Sequence, residues 1–412
     1  MRSAKVIWYV HPYAGGPGIG RYDRPFHLSK HWNAEGVKSV VITPSFHHLL
    51  DAEFTRGKAR FSEVCYEFLA CPTYQGNRLG RLVNMAWFAV MLIISTPRLV
   101  RRYGKPSLII ASSPHPYMFP STHLLARLLG ARSVFEVRDL WPLSLVELAN
   151  LSPLNWLVKI TGWIERFAYK RADYVVSLLP CTLEYMEKLG LDEGRWRYIP
   201  NGVEPEGNND SSSDEACVNL AKSWQIEGRT VIVYAGALGV PNAVESLVEG
   251  LGRVPAQQRR KLGVIIVGRG ERQAFIRKLI SDCQLSESAA VFEQVPKTTI
   301  QSLLKLATAG YISLRPQPLF RFGVSPNKLF DYMLASIPVI YAIKSGNDPV
   351  AEAGCGLSVD PANPGEIAGA LMQLCSLSEA ARAEMGARGR SYVLEKHRYK
   401  NLALEYIRLI VG

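Results

Sequence analysis

Residues 230–239 read TVIVYAGALG, and residues 262–271 read LGVIIVGRGE. Each stretch is a β-branched apolar run with no polar alternation that ends abruptly in a glycine turn. A strand half-exposed to water alternates polar with apolar; one covered on both faces does not. These two strands therefore belong to the interior of a parallel sheet with helices on both sides. The same pattern recurs along the chain. Strands are predicted at Lys5–Val10, Ser39–Thr43, Ser107–Ala111, Arg132–Val137 and Tyr174–Leu178, and again at Thr230–Tyr234, Leu262–Val267, Ala289–Phe292, Gly310–Leu314 and Ile337–Tyr341. Helical patterns separate them, so the prediction is α/β with two Rossmann-like domains of about five strands each.

Length agrees. The chain has 412 residues, which at ~100–200 residues per domain favours two domains. The boundary is a turn at Pro200–Val203 followed by the polar stretch Glu204–Glu215. Two helices without a strand are predicted for Glu379–Val411. The expected domains are 1–203, 204–385 and a C-terminal helical segment, 386–412, that packs back on the first domain.

Composition excludes several classes. The 7 Cys, odd in number and without C-x-x-C, argue against a cystine scaffold or zinc knuckle and for a reducing compartment. The run Val6–Val10 is too short for a signal-peptide core. Charge is uneven: residues 1–203 hold 25 Lys and Arg against 15 Asp and Glu, the remainder 23 against 21. A basic first half calls for an anionic partner.

The motifs sit at strand ends. Ala14-Gly15-Gly16-Pro17-Gly18-Ile19-Gly20 follows the first strand, where glycines let backbone approach a ligand. It is not the dinucleotide fingerprint, because Gly18-Ile19-Gly20 is followed by Arg21-Tyr22-Asp23. Gly236 and the pair Gly268 and Gly270 end adjacent strands of the second half, and Arg269 between them is placed to reach a phosphate. Ser325–Ile340, SPNKLFDYMLASIPVI, predicts a helix capped by Ser325 with Pro326 at its first position. Lys328 falls in that helix's first turn, against the dipole, which points to a task outside the helix; phosphate neutralisation is the natural one. Asp331 shares its face and suits a sugar hydroxyl, the alternative being a surface ion pair. Arg138 and Asp139, at another strand end, form a structural pair or face substrate. His11 and His115 also follow strand ends. No H-E-x-x-H, G-x-S-x-G or Walker signature is present.

Two stretches, Leu82–Arg102 and Asn155–Arg171, mix aromatic, aliphatic and basic residues at helical spacing. They fit either buried helices or a surface anchor on a membrane. Neither contains the roughly 20 apolar residues of a spanning helix.

Taken in order, the N-terminal glycine loop, DLWP at Asp139–Pro142, PNGV at Pro200–Val203, YAG-x-LG at Tyr234–Gly239, Gly268–Gly270 and SPNKLFDYM resemble family 4 glycosyltransferases, and within them bacterial enzymes that build O-antigen, capsule or exopolysaccharide. The resemblance covers nearly the whole chain. It implies the GT-B fold, with two Rossmann-like domains facing a central cleft, and a retaining transfer of a sugar, with an N-acetylated hexosamine or deoxyhexosamine expected. It further implies a nucleoside-diphosphate sugar donor on the second domain, uridine diphosphate first among the bases, and a polyprenyl-diphosphate-linked or glycan acceptor on the first. No metal or other cofactor is expected, and no nucleic-acid partner. The expected location is the inner face of the bacterial cytoplasmic membrane.

Carried over by position, Arg269, Lys328 and Asp331 are the expected catalytic groups. Gly15, Gly16, Gly236, Gly268, Gly270, Ser325, Pro326, Asn327 and Leu329 are expected at the donor, with the N–H groups of Gly15 and Gly16 on the diphosphate. His11, His115, Arg138 and Asp139 are expected on the acceptor side. Three positions depart from the family pattern. Gly323 stands where the first acid of E-x7-E belongs, Val240–Ala243 replaces the usual Arg and Lys, and Arg138 stands where many relatives carry His. A sugar-nucleotide 2-epimerase on the same fold and an inactive partner subunit are the rival readings.

Overall fold

The computed structural model describes residues 5–20, 22–50, 57–74, 76, 78–205 and 215–411. The expected polar linker lies largely outside them. The strands are β1 (Val6–Val10), β2 (Lys38–Pro44), β3 (Gly57–Phe61), β4 (Val64–Leu69), β5 (Leu108–Ser112), β6 (Arg132–Val137), β7 (Tyr174–Ser177), β8 (Trp196–Tyr198), β9 (Thr230–Ala235), β10 (Leu262–Val267), β11 (Ala289–Phe292), β12 (Ala309–Ser313), β13 (Val339–Ala342) and β14 (Gly356–Ser358). The helices used below are α1 (Arg24–Ala34), α2 (Arg78–Tyr103), α3 (Phe119–Leu129), α4 (Trp156–Arg171), α5 (Asn327–Leu334), α6 (Glu379–Lys396) and α7 (Tyr399–Val411). The chain divides into two units, residues 1–202 with 399–412, and residues 203–398.

The first unit is one sheet in the order β3-β4-β2-β1-β5-β6-β7-β8. All pairs are parallel except β3 with β4. Alternation along β1 divides the core. Ile7 and Tyr9 pack with Leu28 and Trp32 of α1, whereas Trp8 and Val10 pack with Phe88 and Leu92 of α2. The β3–β4 hairpin and the short β8 are additions to the predicted strands. β3 carries Lys58 and Arg60 on its outer face, so it lacks the apolar run of a covered strand. β4 is interrupted by Glu67, fully buried yet bonded to Arg98 at 2.7 Å, Arg102 at 2.8 Å and Tyr103 at 2.7 Å. Nothing local to β4 announces those partners.

The two predicted C-terminal helices form, but they serve different units. The expected segment 386–412 is therefore split. α6 packs on α5 in the second unit, where Gly386 lies so close to Ser336 that a β-carbon would stand 1.8 Å from its carbonyl oxygen. Only α7 joins the first unit, where Leu402, Ala403, Tyr406 and Leu409 face its core. A buried polar knot holds it there. Arg24 donates to Glu136 at 3.2 Å, to the Ile199 carbonyl at 3.0 Å and to the Tyr406 hydroxyl at 3.2 Å. Tyr9 and Ser112 donate to the same carboxylate at 2.7 and 2.5 Å. Burial alone would raise the Glu136 carboxyl, but the cations Arg24 and Arg138 and the hydroxyls of Ser112 and Tyr406 hold it below the usual range.

The second unit is a fully parallel sheet, β11-β10-β9-β12-β13-β14. Numbered within the unit, that is 3-2-1-4-5-6, the order whose ligand crevice opens where the winding reverses, between its first and fourth strands. The crevice is thus fixed at the C-terminal ends of β9 and β12. The first unit repeats the rule, since β1 lies between β2 and β5. Its reversal point lies between the ends of β1 and β5.

Candidate active site

Lys328 stands at the reversal point of the second sheet. Its ammonium donates to the Tyr234 hydroxyl at 2.8 Å and the Asn242 amide oxygen at 3.0 Å, and lies 4.5 Å from the centre of the Tyr234 ring. Tyr234 in turn donates to the Ala237 carbonyl at 2.7 Å. The lysine rests on the glycine of the β9 turn. A β-carbon at Gly236, whose φ is +156°, would stand 2.9 Å from the ammonium. Only glycine lets the cation lie this close to the backbone at the strand end. Desolvation lowers the Lys328 ammonium to about 8, so it is mostly charged at neutral pH but readily tuned.

Lys328 lies in the first turn of α5, as the sequence predicts, and its two partners carry no signal in the sequence. Asn242 belongs to the segment that departs from the family's Arg and Lys, and it is the residue that meets the lysine. Asp331, one turn along α5, is half-buried.

Other expectations need correction. Ser325 does not cap α5: the capping position is Pro326, and the helix begins at Asn327. Leu329 is fully buried in the hydrophobic core and has no surface to offer a ligand. Asn327 is exposed, and Ser325 and Pro326 are half-buried. Gly268 and Gly270 are required by backbone packing. Their β-carbons would meet the carbonyl oxygens of Gly236 at 1.8 Å and Leu238 at 2.3 Å. The two turns lock together, with Leu238 donating to the Arg269 carbonyl at 3.0 Å and Arg272 to the Leu238 carbonyl at 2.9 Å. This lock leaves the Arg269 side chain exposed. Gly323, at the position of the missing acid, has φ 94° and ψ 172°, backbone that a side chain scarcely tolerates. A glutamate there would be strained, which gives the departure a conformational cause.

The crevice of the first unit is built differently. His11 at the end of β1 accepts from the Tyr13 backbone N–H at 3.0 Å through Nδ1, and its Nε2 is buried without a partner. His115, just beyond β5, is buried with neither ring nitrogen bonded. Aromatic rings wall it: Tyr117 is stacked at 5.1 Å, and Tyr13 and Trp141 stand edge-on at 6.0 and 6.2 Å. Burial drives all three neighbouring imidazoles toward the neutral form. His11 falls well below its ordinary value, His47 to about 4 and His115 to about 3. Two cations face these neutral rings. Arg81 donates to the Tyr13 hydroxyl at 3.0 Å, and Arg138 lies 4.8 Å above the Tyr22 ring with Nη1 buried and unpaired.

Arg138 therefore faces the crevice and makes no ion pair with Asp139, although its charge opposes the rise that desolvation gives the Asp139 carboxyl. The N–H groups expected on a diphosphate are occupied. Gly15 donates to the Tyr22 carbonyl at 2.7 Å and Gly16 to the Gly20 carbonyl at 3.0 Å. The first glycine loop is a closed hairpin that shapes the crevice wall. The sequence does not single out Tyr13, Tyr22 or Arg81, and singles out Trp141 only as part of DLWP, because their roles arise only when strand ends and the start of α2 meet. Among the described residues, no three His, Cys, Asp or Glu side chains converge as a metal site would require.

Comparison with known proteins agrees with this architecture. Residues 18–202 match the glycosyl transferase 4-like domain, and residues 219–392 match glycosyl transferases group 1. The chain is 24% identical to a putative colanic acid biosynthesis glycosyl transferase, WcaI, of Escherichia coli, over 64% of this chain and 65% of that relative. The match thus spans just under two thirds of that protein. It is 22% identical to a probable glycosyltransferase, WbjE, of Pseudomonas aeruginosa over 83% of this chain and 82% of the relative. Among solved structures, sucrose-phosphate synthase of Thermosynechococcus elongatus superposes with a TM-score of 0.69 at 16% identity, covering 98% of each chain. HepE of Anabaena, solved with UDP and glucose, gives 0.64 at 14% identity and 99% coverage of each. At such identities the structural likeness speaks for the fold, which is GT-B.

Proposed function

Since the chain belongs to the glycosyltransferases of GT-B fold, we propose that it transfers a sugar, with retention, from a nucleoside-diphosphate donor to a lipid-linked or oligosaccharide acceptor of bacterial surface polysaccharide. One observation carries the donor half: an ammonium poised at the reversal point of the second sheet, on a glycine turn and held by two neutral oxygens. Neutral partners position the cation without cancelling its charge. A diphosphate is the ligand that such a group completes.

The chemistry follows from that charge. The bond between the anomeric carbon and the β-phosphate oxygen breaks through an oxocarbenium-like transition state, and negative charge grows on the departing phosphate. Lys328 opposes that charge from the crevice, and exposed Arg269 reaches it from the neighbouring turn. The acceptor hydroxyl oxygen bonds to the anomeric carbon and gives its proton to the leaving phosphate, so no protein base is required. Asp331 holds ribose hydroxyls. On the first unit, His11, His115 and Arg138 receive the acceptor, with unbonded imidazole nitrogens and a guanidinium offered to its hydroxyl and phosphate oxygens. No metal takes part in this reading, so chelation should leave turnover unchanged.

The test is calorimetry with UDP, GDP, ADP and dTDP on the wild-type protein and Lys328→Ala. One diphosphate should bind selectively, UDP being expected, and the substitution should weaken it by about tenfold or more. Binding of none, or equal binding by the variant, refutes the donor site. Incubation with donor alone separates the epimerase reading, which requires an epimerised nucleotide sugar without acceptor.

A further inference from the structure

Both stretches that fitted either buried helices or a surface anchor bury one face and expose the other. α2 buries Met85, Phe88, Leu92 and Leu99 against the sheet. Its opposite face exposes Val83, Trp87, Val90 and Ile94, spaced four, three and four residues apart as one stripe. Residues Gly80–Tyr103 have the length and hydropathy of a membrane span, but the buried half fixes the helix flat on its own unit. α3 packs beside α2 and exposes Leu124 and Leu128. α4 packs beside α3 and exposes Trp156, Ile160 and Trp163, the two indoles being 63% and 67% accessible. Among the described residues, every exposed large apolar side chain except Tyr198, Ile226 and Phe275 lies on these three helices or in Leu148–Leu154. Such concentration marks a covered surface.

Charge says what covers it. α2 and α3 contain no Asp or Glu, and the only acid of α4, Glu165, is buried. The exposed charges are Arg101, Arg102, Arg127, Lys159, Arg166, Lys170 and Arg171, of which Arg102 is paired with the buried Glu67. Exposed indoles and aliphatics among long cations, with no exposed acid on the three helices, suit an anionic bilayer surface, where rings enter the interface and basic heads reach phosphates. The helices also reach the first crevice. Arg81 of α2 bonds Tyr13, and Thr161 of α4 bonds Tyr117 at 2.7 Å, the ring stacked on His115.

We infer that α2, α3 and α4 form a monotopic docking face that lays the first unit on an anionic phospholipid surface, with the His11–His115 crevice beside the lipid headgroups. Docking stands without the transferase reading; only delivery of a lipid-borne acceptor rests on it.

The experiment is sedimentation of the full chain with vesicles of phosphatidylglycerol and phosphatidylethanolamine, against phosphatidylcholine alone. The comparison protein is Trp87→Ser/Trp156→Ser/Trp163→Ser. Wild type should pellet with the anionic vesicles and less so in high salt, and brominated lipid should quench its tryptophans. The variant should bind about tenfold or more weakly. An unchanged thermal transition would show that it folds; if it does not, Arg127→Glu/Lys159→Glu/Arg166→Glu takes its place. No vesicle binding by wild type, or undiminished binding by the folded variant, overturns the proposal. So does concentration-dependent dimerisation in light scattering that the same substitutions abolish, which would give the face to a second copy.

Discussion

The two crevices obey one topological rule and differ in how their central polar groups are satisfied. At the end of β9 the central cation is bonded: Lys328 has Tyr234 and Asn242, and the two glycine turns close on each other's backbone, while Arg272 Nε and Glu245 Oε2 beside them are buried without partners. At the ends of β1 and β5, His11, His115 and Arg138 keep buried nitrogens without partners. Leaving a buried polar group unbonded costs about 1–3 kcal/mol. The second unit holds Lys328 preorganised between neutral oxygens, an arrangement that suits a phosphate. The first carries unmet hydrogen-bonding capacity that a ligand must supply.

The sharpest way to break this contrast is through the glycines. Gly268→Ala forces a β-carbon to 1.8 Å from the Gly236 oxygen, so the lock between the turns must open. A loss of about 3 kcal/mol or more is expected, with loss of nucleotide binding. Gly18→Ala, in the first glycine loop, meets no atom within 4 Å and is penalised only by its φ of +71°. It should cost about 1 kcal/mol. Thermal unfolding of the two variants decides the matter. Equal losses would mean that the turns of the second unit are not interlocked.

Next in size is the pH dependence of donor binding. Lys328 sits near 8 in the free protein. A bound diphosphate stabilises its charged form and raises that value. Affinity is then constant below about 8 and falls as pH rises above it, by up to about tenfold per unit, until the bound-state value is reached. Lys328→Ala should bind weakly and show no such fall. Calorimetry across alkaline pH measures both, and a flat wild-type profile would detach the lysine from the phosphates.

The legibility of the two crevices in the sequence differs for the same reason. β9 and β10 are continuous apolar runs, so the second sheet and its glycine turns could be read locally. Lys328 stood out because a cation in a helix's first turn is locally wrong. β3 and β4 could not be read this way, since Glu67 becomes tolerable only when α2 brings Arg98, Arg102 and Tyr103 to it. The glycines stand out in the sequence, but the contacts that require Gly268 and Gly270, with Gly236 and Leu238, are not legible there. Tyr13 and Arg81 carry no local signature, and Trp141 stands out only as part of DLWP. They become a site only through strand order.

The smallest expected effect tests the first crevice most directly. His115 is buried, unbonded and held neutral, with its proton affinity pushed down to about 3. Its unfolded-state value is near 6.5. As pH falls below that, the unfolded chain takes up a proton that the folded chain refuses, so the residue destabilises the fold on acidification. Phenylalanine keeps the ring's stacking on Tyr117 and removes both orphan nitrogens. At pH 7, His115→Phe should therefore raise stability by roughly 0.5–1 kcal/mol, and the margin should widen below pH 6.5 by up to about 1.4 kcal/mol per unit. Transfer to acceptor should weaken while nucleotide binding stays intact. A variant more stable and less active identifies a group retained at the expense of stability for what it binds. A variant less stable than wild type would show that the nitrogens of His115 are satisfied by ordered water, and that the contrast between the crevices is one of packing alone.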